Sequence, residues 1–250
     1  MSIYDLTHFT LQDMTACGTA IRQLGNGQSS MEVTASRLVD YCYEHLVDPQ
    51  TGEPACALIR LFKTHSYADL PDELQVLVTQ SLGDRAPTPD LKCLTLLATQ
   101  GIEPQWQHRQ TSQGHQVIPL TSESAIAQIP MISQLIGQFG LKVSTVIKPD
   151  PDLILDLEQT TFNVFHVPEA LGSPFIPAQS KFVQPFKVRS VLGIGGMLPS
   201  GNLFALILFS RVTIPERTAT LFKTLALNAK MSLLPFEPNQ TFSEQPQLAL

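Results

Sequence analysis

Near the start of the chain, apolar residues recur every three or four positions, which is the spacing of one helix face. This pattern predicts a first helix over residues 11–24, and the "GNG" at 25–27 predicts its end. Ser29 and Glu32 stand at the spacing of a capping box, in which both side chains accept backbone N–H groups. A second helix is therefore predicted over residues 31–46.

Short, mainly apolar runs bounded by turn residues are typical of buried strands. Two such runs are "ACALIRLFKT" at 55–64 and "LKCLTLLATQG" at 91–101. A helix is predicted between them over residues 71–82, and the stretch at 83–90, which contains Pro and Asp, predicts a loop. The two strands lie close enough in sequence to pair.

The stretch "SVLGIGGMLPSGNLFALILFS" at 190–210 raises the question of a phosphate-binding loop. A dinucleotide-binding loop needs G-x-G-x-x-G between a strand and a helix. Gly193 and Gly195 fit the first two glycines, but Leu198 occupies the third position and strand-forming residues follow. We therefore interpret the stretch as a β-hairpin and not as a nucleotide site.

The turn residues "PSGN" divide this hairpin into strands over 188–198 and 203–210, with Gly201 in the turn. A symmetric turn without a bulge would place Gly193 on the same face as Leu206. Both faces of the hairpin are apolar, so both are expected to be covered. The hairpin is therefore predicted to lie in the centre of a sheet.

The region from 102 to 187 has a less regular pattern. "HQVIPL" and "LKVSTVI" predict strands, "SESAIAQIPMISQLIGQF" predicts a helix broken at Pro130, and "PDPDLILDLEQ" predicts a short acidic helix. The stretch "FHVPEALGSPFIPAQSKFVQPF" contains four prolines and four phenylalanines. We expect it to be ordered but irregular, and to pack its aromatic rings as a cap on one face of the sheet.

A long helix is the last predicted element. Thr213 and Glu216 have capping-box spacing, and Pro215 falls in the first turn. One face of this helix carries Phe222, Leu225, Ala229 and Leu233. Residues 237–250 have little apolar surface to bury, so they are predicted to form a polar tail.

The composition narrows the classes of function. The 250 residues carry 16 basic and 22 acidic side chains, a net charge of −6, without a cluster of Lys and Arg that could neutralise a run of phosphates. Neither a signal-peptide pattern nor an apolar stretch of ~18 residues occurs. We therefore expect a cytoplasmic protein that contacts neither nucleic acid nor a membrane.

The cysteines carry no recognisable metal or disulfide pattern. They are widely spaced and form no C-x-x-C motif, which fits neither a disulfide framework nor a zinc knuckle. We expect four reduced, mostly buried thiols at Cys17, Cys42, Cys56 and Cys93.

The order of elements resembles the GAF domain of bacterial signalling proteins. Four segments are similar in sequence to the GAF-like input region ahead of the output domains of bacterial sensor kinases. They are "PACALIRLFKTH", "CLTLLATQG", "FNVFHVPEALGSPFIPAQ" and "VRSVLGIGGMLPSGNLFALILFSR". The resemblance covers residues 9–236 as a single domain, preceded by a lead at 1–8. It implies an α+β fold with a central antiparallel sheet, terminal helices on one face, and the cap of residues 102–187 on the other.

The same resemblance implies a non-enzymatic sensory or regulatory module of bacterial signal transduction, expected as an isolated input domain or a free-standing relative. Its partners would be a signalling output domain or protein and a second copy of the chain. The homodimer would use the two terminal helices, Leu11–Leu24 and Phe222–Leu233, since GAF-like modules commonly pair terminal helices in parallel. A ligand-free interaction or dimerisation scaffold is the alternative. An enzyme is disfavoured because no nucleophile, base and orienting group occur together in one segment.

The ligand classes of GAF domains can be compared with this sequence. The Asn-Lys…Phe…Asp-Glu signature of cyclic-nucleotide-binding members is not found, and no cysteine precedes a histidine, as bilin-carrying members usually require. Cyclic nucleotides and a covalent bilin are therefore disfavoured. Haem, an apolar metabolite and no ligand at all remain open.

The predicted ligand site lies between residues 162–186 of the cap and the hairpin face with Gly193 and Gly195, since two positions without side chains leave volume. Phe165, His166 and Phe175 are expected to line it, with His166 orienting a ligand or binding haem iron. No other metal site is predicted. Alternatively, His166 bonds backbone groups and the glycines relieve crowding in a twisted strand.

Two further sets of residues have competing interpretations. His108 and His115 are predicted to be exposed loop residues without metal-site spacing. An acidic run could form a cation site or a carboxylate pair for acid/base chemistry, or could be the solvated first turns of a helix, where negative charge favours the dipole. This run comprises Asp150, Asp152, Asp156 and Glu158.

Overall fold

The computed structural model describes residues 3–112, 114–150, 163–237 and 239–243. The elements are numbered in chain order. They are β1 (Tyr4–Asp5), α1 (Leu11–Gln23), α2 (Met31–His45), β2 (Leu46–Val47), β3 (Cys56–Ser66), α3 (Asp72–Leu82), β4 (Lys92–Gly101), β5 (Val117–Pro119), α4 (Glu123–Ala127), α5 (Pro130–Gln138), α6 (Val143–Ile147), β6 (Val164–Val167), β7 (Ser190–Met197), β8 (Leu203–Ser210) and α7 (Glu216–Leu233).

A six-stranded sheet forms the centre of the fold, in the order β5-β4-β3-β8-β7-β6. Every neighbouring pair in it is antiparallel. The short strands β1 and β2 form a separate parallel pair. This confirms the α+β class with a central antiparallel sheet. Strands β3, β7 and β8 are buried along almost their whole length, so both faces of the sheet are covered.

The hairpin β7–β8 is confirmed, with Gly201 at φ +75° in the turn, a conformation that favours glycine. Its predicted register is wrong by one residue. Met197 pairs with Leu203, so the loop contains an odd number of residues and Gly193 lies opposite Ile207 instead of sharing a face with Leu206. A one-residue difference in register exchanges the two faces of one strand relative to the other.

One face of the sheet is covered by α1, α2 and α7, whose apolar sides pack against Leu192, Leu206 and their neighbours. Thr10 caps α1 and Ser30 caps α2, which places the second cap one residue after the predicted Ser29. Helices α1 and α7 run parallel. Gly18 of α1 lies against Leu225 and Asn228 of α7, and a Cβ at Gly25, just after α1, would overlap the carbonyl oxygen of Ser232.

The other face is covered by the cap, which includes α4, α5, α6, a short π-helical turn at Gln179–Val183 and aromatic side chains. The helix break at Pro130 is confirmed. "LKVSTVI" is not a strand but the helical turn α6, which buries Val146 in the cap core. The aromatic stretch is less irregular than expected, since it begins with edge strand β6.

The predicted acidic helix and the residues Asp152, Asp156 and Glu158 lie outside the described residues.

The segment after Phe236 is not a free tail over its described part. The carbonyl oxygens of Gln240 and Thr241 accept the backbone N–H groups of Met31 and Glu32, each at 2.8 Å, at the start of α2. These bonds satisfy donors that a helix N-terminus leaves without intrahelical partners. Residues 239–243 are therefore packed onto the fold, which corrects the prediction for this stretch.

The four cysteines are free and buried, as expected. Burial raises the pKa of the Cys17 and Cys56 thiols to about 12. No helix within the described ranges is long and apolar enough to span a bilayer.

Candidate functional site

A cavity of about 330 Å³ lies between the sheet and the cap, and we call it the cap cavity. That volume is far above the ~10–15 Å³ that one water molecule needs. Its floor consists of side chains from β3, β4 and β8, namely Leu58, Arg60, Phe62, Leu94, Leu203, Ala205, Ile207 and Phe209. Its walls and mouth consist of Trp106, His115, Ile118, Leu120, Ile129, Pro130, Met131, Ile132, Leu135, Ile136, Val146, Ile176, Pro177, Ala178, Lys181 and Phe182.

Strand alternation explains the floor of the cavity. Successive side chains of a strand point to opposite faces, so every second residue of β8 from Leu203 to Phe209 faces the cap. The residues between them, including Leu206, face the helices. The same alternation on β3 brings Leu58, Arg60 and Phe62 to the cavity.

Arg60 is the one charged side chain in this floor. It is 8% exposed, and its Nη2 donates to the Ser112 hydroxyl at 3.0 Å. Its Nε has no hydrogen-bond partner. No ion pair joins Arg60 to a carboxylate of the described ranges. Burial without such a partner lowers the pKa of the guanidinium to about 10.

His115 and Lys181 add polar groups to the lining, and both residues are exposed at the mouth. Partial burial and the positive charge of Arg60 lower the pKa of His115. Its exposure is as predicted, but its place beside a cavity is not. No acidic side chain lines the cavity among the described residues. The cap cavity therefore combines apolar walls with positive charge.

Trp106 lies in the cavity wall and is the single tryptophan of the protein. Its ring packs against Phe186 and Phe182, at centroid distances of 4.6 and 5.6 Å. Phe182 in turn contacts Phe209 of the floor at 5.0 Å. This aromatic cluster holds one end of the cavity, and it gives a spectroscopic reporter of occupancy.

The space expected above Gly193 and Gly195 is filled. A Cβ at Gly193 would lie 3.2 Å from Phe165, and one at Gly195 would overlap the Phe204 carbonyl oxygen and lie 2.8 Å from the Phe139 ring. The glycines therefore permit close packing of the cap and neighbouring strand, which is the alternative that the sequence left open. The cap cavity lies further along the same face.

Phe165 and His166 point to opposite faces because they are neighbours on strand β6. Phe165 is buried in the cap core, whereas the Nε2 of His166 lies 3.0 Å from the Ile214 carbonyl oxygen near the start of α7. Burial lowers the pKa of His166. This site fits a structural histidine and does not fit haem ligation, since Nε2 already has a partner.

The five predicted site residues are thus not brought together around one space. Phe175 is half-buried against the cap core. The residues that line the cap cavity include none of the five predicted ones, which are Phe165, His166, Phe175, Gly193 and Gly195. Sequence reasoning missed Arg60, although one signal was available. It is the single charged residue within "ACALIRLF", on a strand that was predicted to be buried.

The remaining metal-ligand candidates do not form a metal site in the described ranges. His108 is exposed, as predicted. No group of three His, Cys, Asp or Glu residues in the described ranges could hold a metal ion.

No family model matches the chain, and no curated protein matches it by sequence. Among solved structures, it is similar to free methionine-R-sulfoxide reductase from Neisseria meningitidis in complex with its substrate, with 11% identity, a TM-score of 0.48, and coverage of 92% of this chain and 96% of that one.

The chain is also similar to the GAF domain of a phosphoenolpyruvate-protein phosphotransferase from Coxiella burnetii, with 14% identity, a TM-score of 0.44 and coverage of 89% and 93%. A third similar structure is an N-acylhomoserine lactone dependent LuxR family transcription factor from Burkholderia cenocepacia, with 12% identity, a TM-score of 0.38 and coverage of 89% and 96%. Likeness at this level identifies neither a family nor a ligand, so the function is argued from the cap cavity.

Proposed function

We propose that this chain is a non-enzymatic sensory or regulatory module of bacterial signalling that binds an apolar small molecule in the cap cavity. The cavity itself is the observation that carries the proposal. Protein interiors are normally close-packed, with few voids larger than a water molecule. Here about 330 Å³ stays open between the sheet and the cap. Mostly apolar walls with a few convergent polar groups are typical of small-molecule sites.

The route from the cavity to the rest of the fold runs through β8. Ala205 and Ile207 face the cavity, whereas Leu206 and Leu208 pack in the core beneath α1, α2 and α7. A ligand that displaces the floor therefore acts on a strand whose opposite face supports the terminal helices. Those helices are the elements through which we expect the module to contact its partners.

The proposal is tested by the emission of Trp106 and by native mass spectrometry of the purified protein. We expect native mass spectrometry to give a mass greater than the 27.5 kDa of the chain, with the difference equal to that of a copurified apolar molecule. We also expect a saturable change of Trp106 emission when 1-dodecanol is added. An Ala205→Leu variant, which fills part of the floor, should keep the far-UV circular dichroism of the native protein and lose the response.

Failure has a distinct signature. A bare chain mass together with unchanged Trp106 emission for apolar probes of any head group would contradict ligand binding. The ligand-free interaction scaffold would then replace the proposal.

The expected homodimer gives a separate prediction. Phe222, Leu225, Ala229 and Leu233 are buried in the protein's own core, so only the outer sides of α1 and α7 remain for a partner. Leu11, Leu227 and Met231 are exposed apolar residues of those helices. We expect sedimentation equilibrium to give twice the 27.5 kDa chain mass at high concentration.

The interface is examined by comparing Leu227→Glu with Leu171→Glu, since both leucines are exposed but Leu171 belongs to the cap. Only the first substitution should weaken the dimer, because it places charge on an apolar contact. A 27.5 kDa species that persists at every concentration would refute the dimer.

A further inference from the structure

Arg60 differs from two other buried cations of this fold. Lys63 contacts the carboxylate of Glu237, and Arg109 contacts that of Glu32. Arg60 is equally enclosed, but its charged group has only the Ser112 hydroxyl, and its Nε has no partner. A buried cation without an anion is costly in free energy, since the guanidinium has lost its water and gained little in return.

The unpaired charge of Arg60 lies at the cap cavity. Its side chain lies in the floor, between Leu58 and Phe62, whose side chains are apolar. The remaining lining is apolar apart from His115 and Lys181 at the mouth, which contribute donors and positive charge but no carboxylate. An occupant of this space would therefore meet an uncompensated cation surrounded by hydrocarbon.

We propose that the ligand is an amphipathic carboxylate, a molecule with one carboxylate group on an extended apolar body; this inference rests on the proposed function. The carboxylate would accept the free Nε–H of Arg60 and neutralise its charge. A guanidinium matches the planar carboxylate in geometry, and charge-assisted hydrogen bonds are stronger in a site that excludes water. The apolar body would fill the space beneath α5 and beside Trp106.

The charge of the lining also excludes other head groups. A cationic head would be repelled by Arg60 and would find no acidic side chain among the described lining residues. A neutral head would leave the guanidinium unpaired. A phosphate monoester would bring close to two negative charges against one buried cation, since the lysine and histidine of the lining are exposed.

The inference is tested by titrating the full chain with four probes of equal chain length: dodecanoate, 1-dodecanol, dodecylammonium and dodecyl phosphate. Trp106 emission reports the binding of each. The variants are Arg60→Met, which keeps an unbranched apolar stem, and Arg22→Met, which removes the same charge from the exposed side of α1. We expect wild-type protein to bind dodecanoate at least about tenfold more tightly than 1-dodecanol.

Arg60→Met should weaken dodecanoate binding by a factor on the order of ten to a hundred, the range for one charged hydrogen bond. It should leave 1-dodecanol binding unchanged, and Arg22→Met should match wild type with every probe. Equal affinities for dodecanoate and 1-dodecanol in wild type would overturn the carboxylate and leave the proposed function standing. Tighter binding of dodecyl phosphate that depends on Arg60 would also overturn it, in favour of a phosphate ligand. No response to any probe would contradict both proposals.

Thermal unfolding gives a second readout. Without ligand, Arg60→Met should melt at a higher temperature than wild type, because an unpaired buried cation is replaced by an apolar side chain. Dodecanoate should raise the melting temperature of wild type but not that of the variant. A variant that melts lower and keeps the preference for dodecanoate would show that Arg60 is structural.

Discussion

Replacing Leu206 with aspartate is expected to lower the free energy of unfolding by about 3–5 kcal/mol, the cost of an uncompensated buried charge. Leu206 is 1% exposed, and it lies on β8 between Leu61 of β3 and Ile194 of β7. Its side chain faces the core beneath the helices, where a carboxylate would have neither water nor a cation. Since small domains are stable by only about 5–15 kcal/mol, a large fraction of the protein should unfold at moderate temperature.

Urea denaturation followed by circular dichroism measures the effect. Leu171→Asp is the matched control, because Leu171 is exposed on the cap and should change stability by less than about 0.5 kcal/mol. A soluble Leu206→Asp protein with an unchanged melting temperature would refute the central placement of β8.

Truncating Glu237 to alanine is expected to cost about 3–5 kcal/mol, because it leaves the Lys63 ammonium buried without an anion. The Oε1 of Glu237 lies 3.2 Å from Nζ of Lys63, and both side chains are less than 10% exposed. The Ser200 hydroxyl donates to the same oxygen at 2.9 Å. Burial lowers the pKa of Lys63 and the charge of Glu237 opposes that shift, so Glu237 holds the lysine in its charged form.

A double variant separates a lost ion pair from a lost contact. Lys63→Met combined with Glu237→Leu removes both charges and should recover most of the stability, since buried pairs are often replaceable by apolar residues at little cost. Glu53→Ala, at an exposed position, is the control for the charge change. If Glu237→Ala melts like wild type, the residues after Phe236 are not held in the way described.

The sequence patterns predicted the longer helices and the longer strands because their signals are local. The apolar spacing of α1 and the glycines that follow it lie within a few turns of one another, and Gly201 marks the hairpin turn by itself. The hairpin register failed because it depends on one residue of loop length. That residue decides which face of β7 aligns with which face of β8, and both faces are apolar.

The candidate site depended still more on contacts distant in sequence. Gly193 and Gly195 suggested free volume, but the side chains of Phe165, on β6, and Phe139, at the end of α5, fill that space. Neighbouring positions on β6 also cannot line one space, so Phe165 and His166 were separated by the pleat.

The sequence by itself determined the class of this protein: an acidic chain with helical ends, strands buried on both faces and an aromatic cap. Hydrophobic periodicity and turn chemistry are properties of short windows, so they can be read without the fold. The tertiary structure alone decided where the core stays open and which buried charges have partners. The cap cavity and the unpaired Nε of Arg60 lie where β3, β4, β8 and the cap come together. These segments are distant in sequence, so no local sequence pattern could predict their contact.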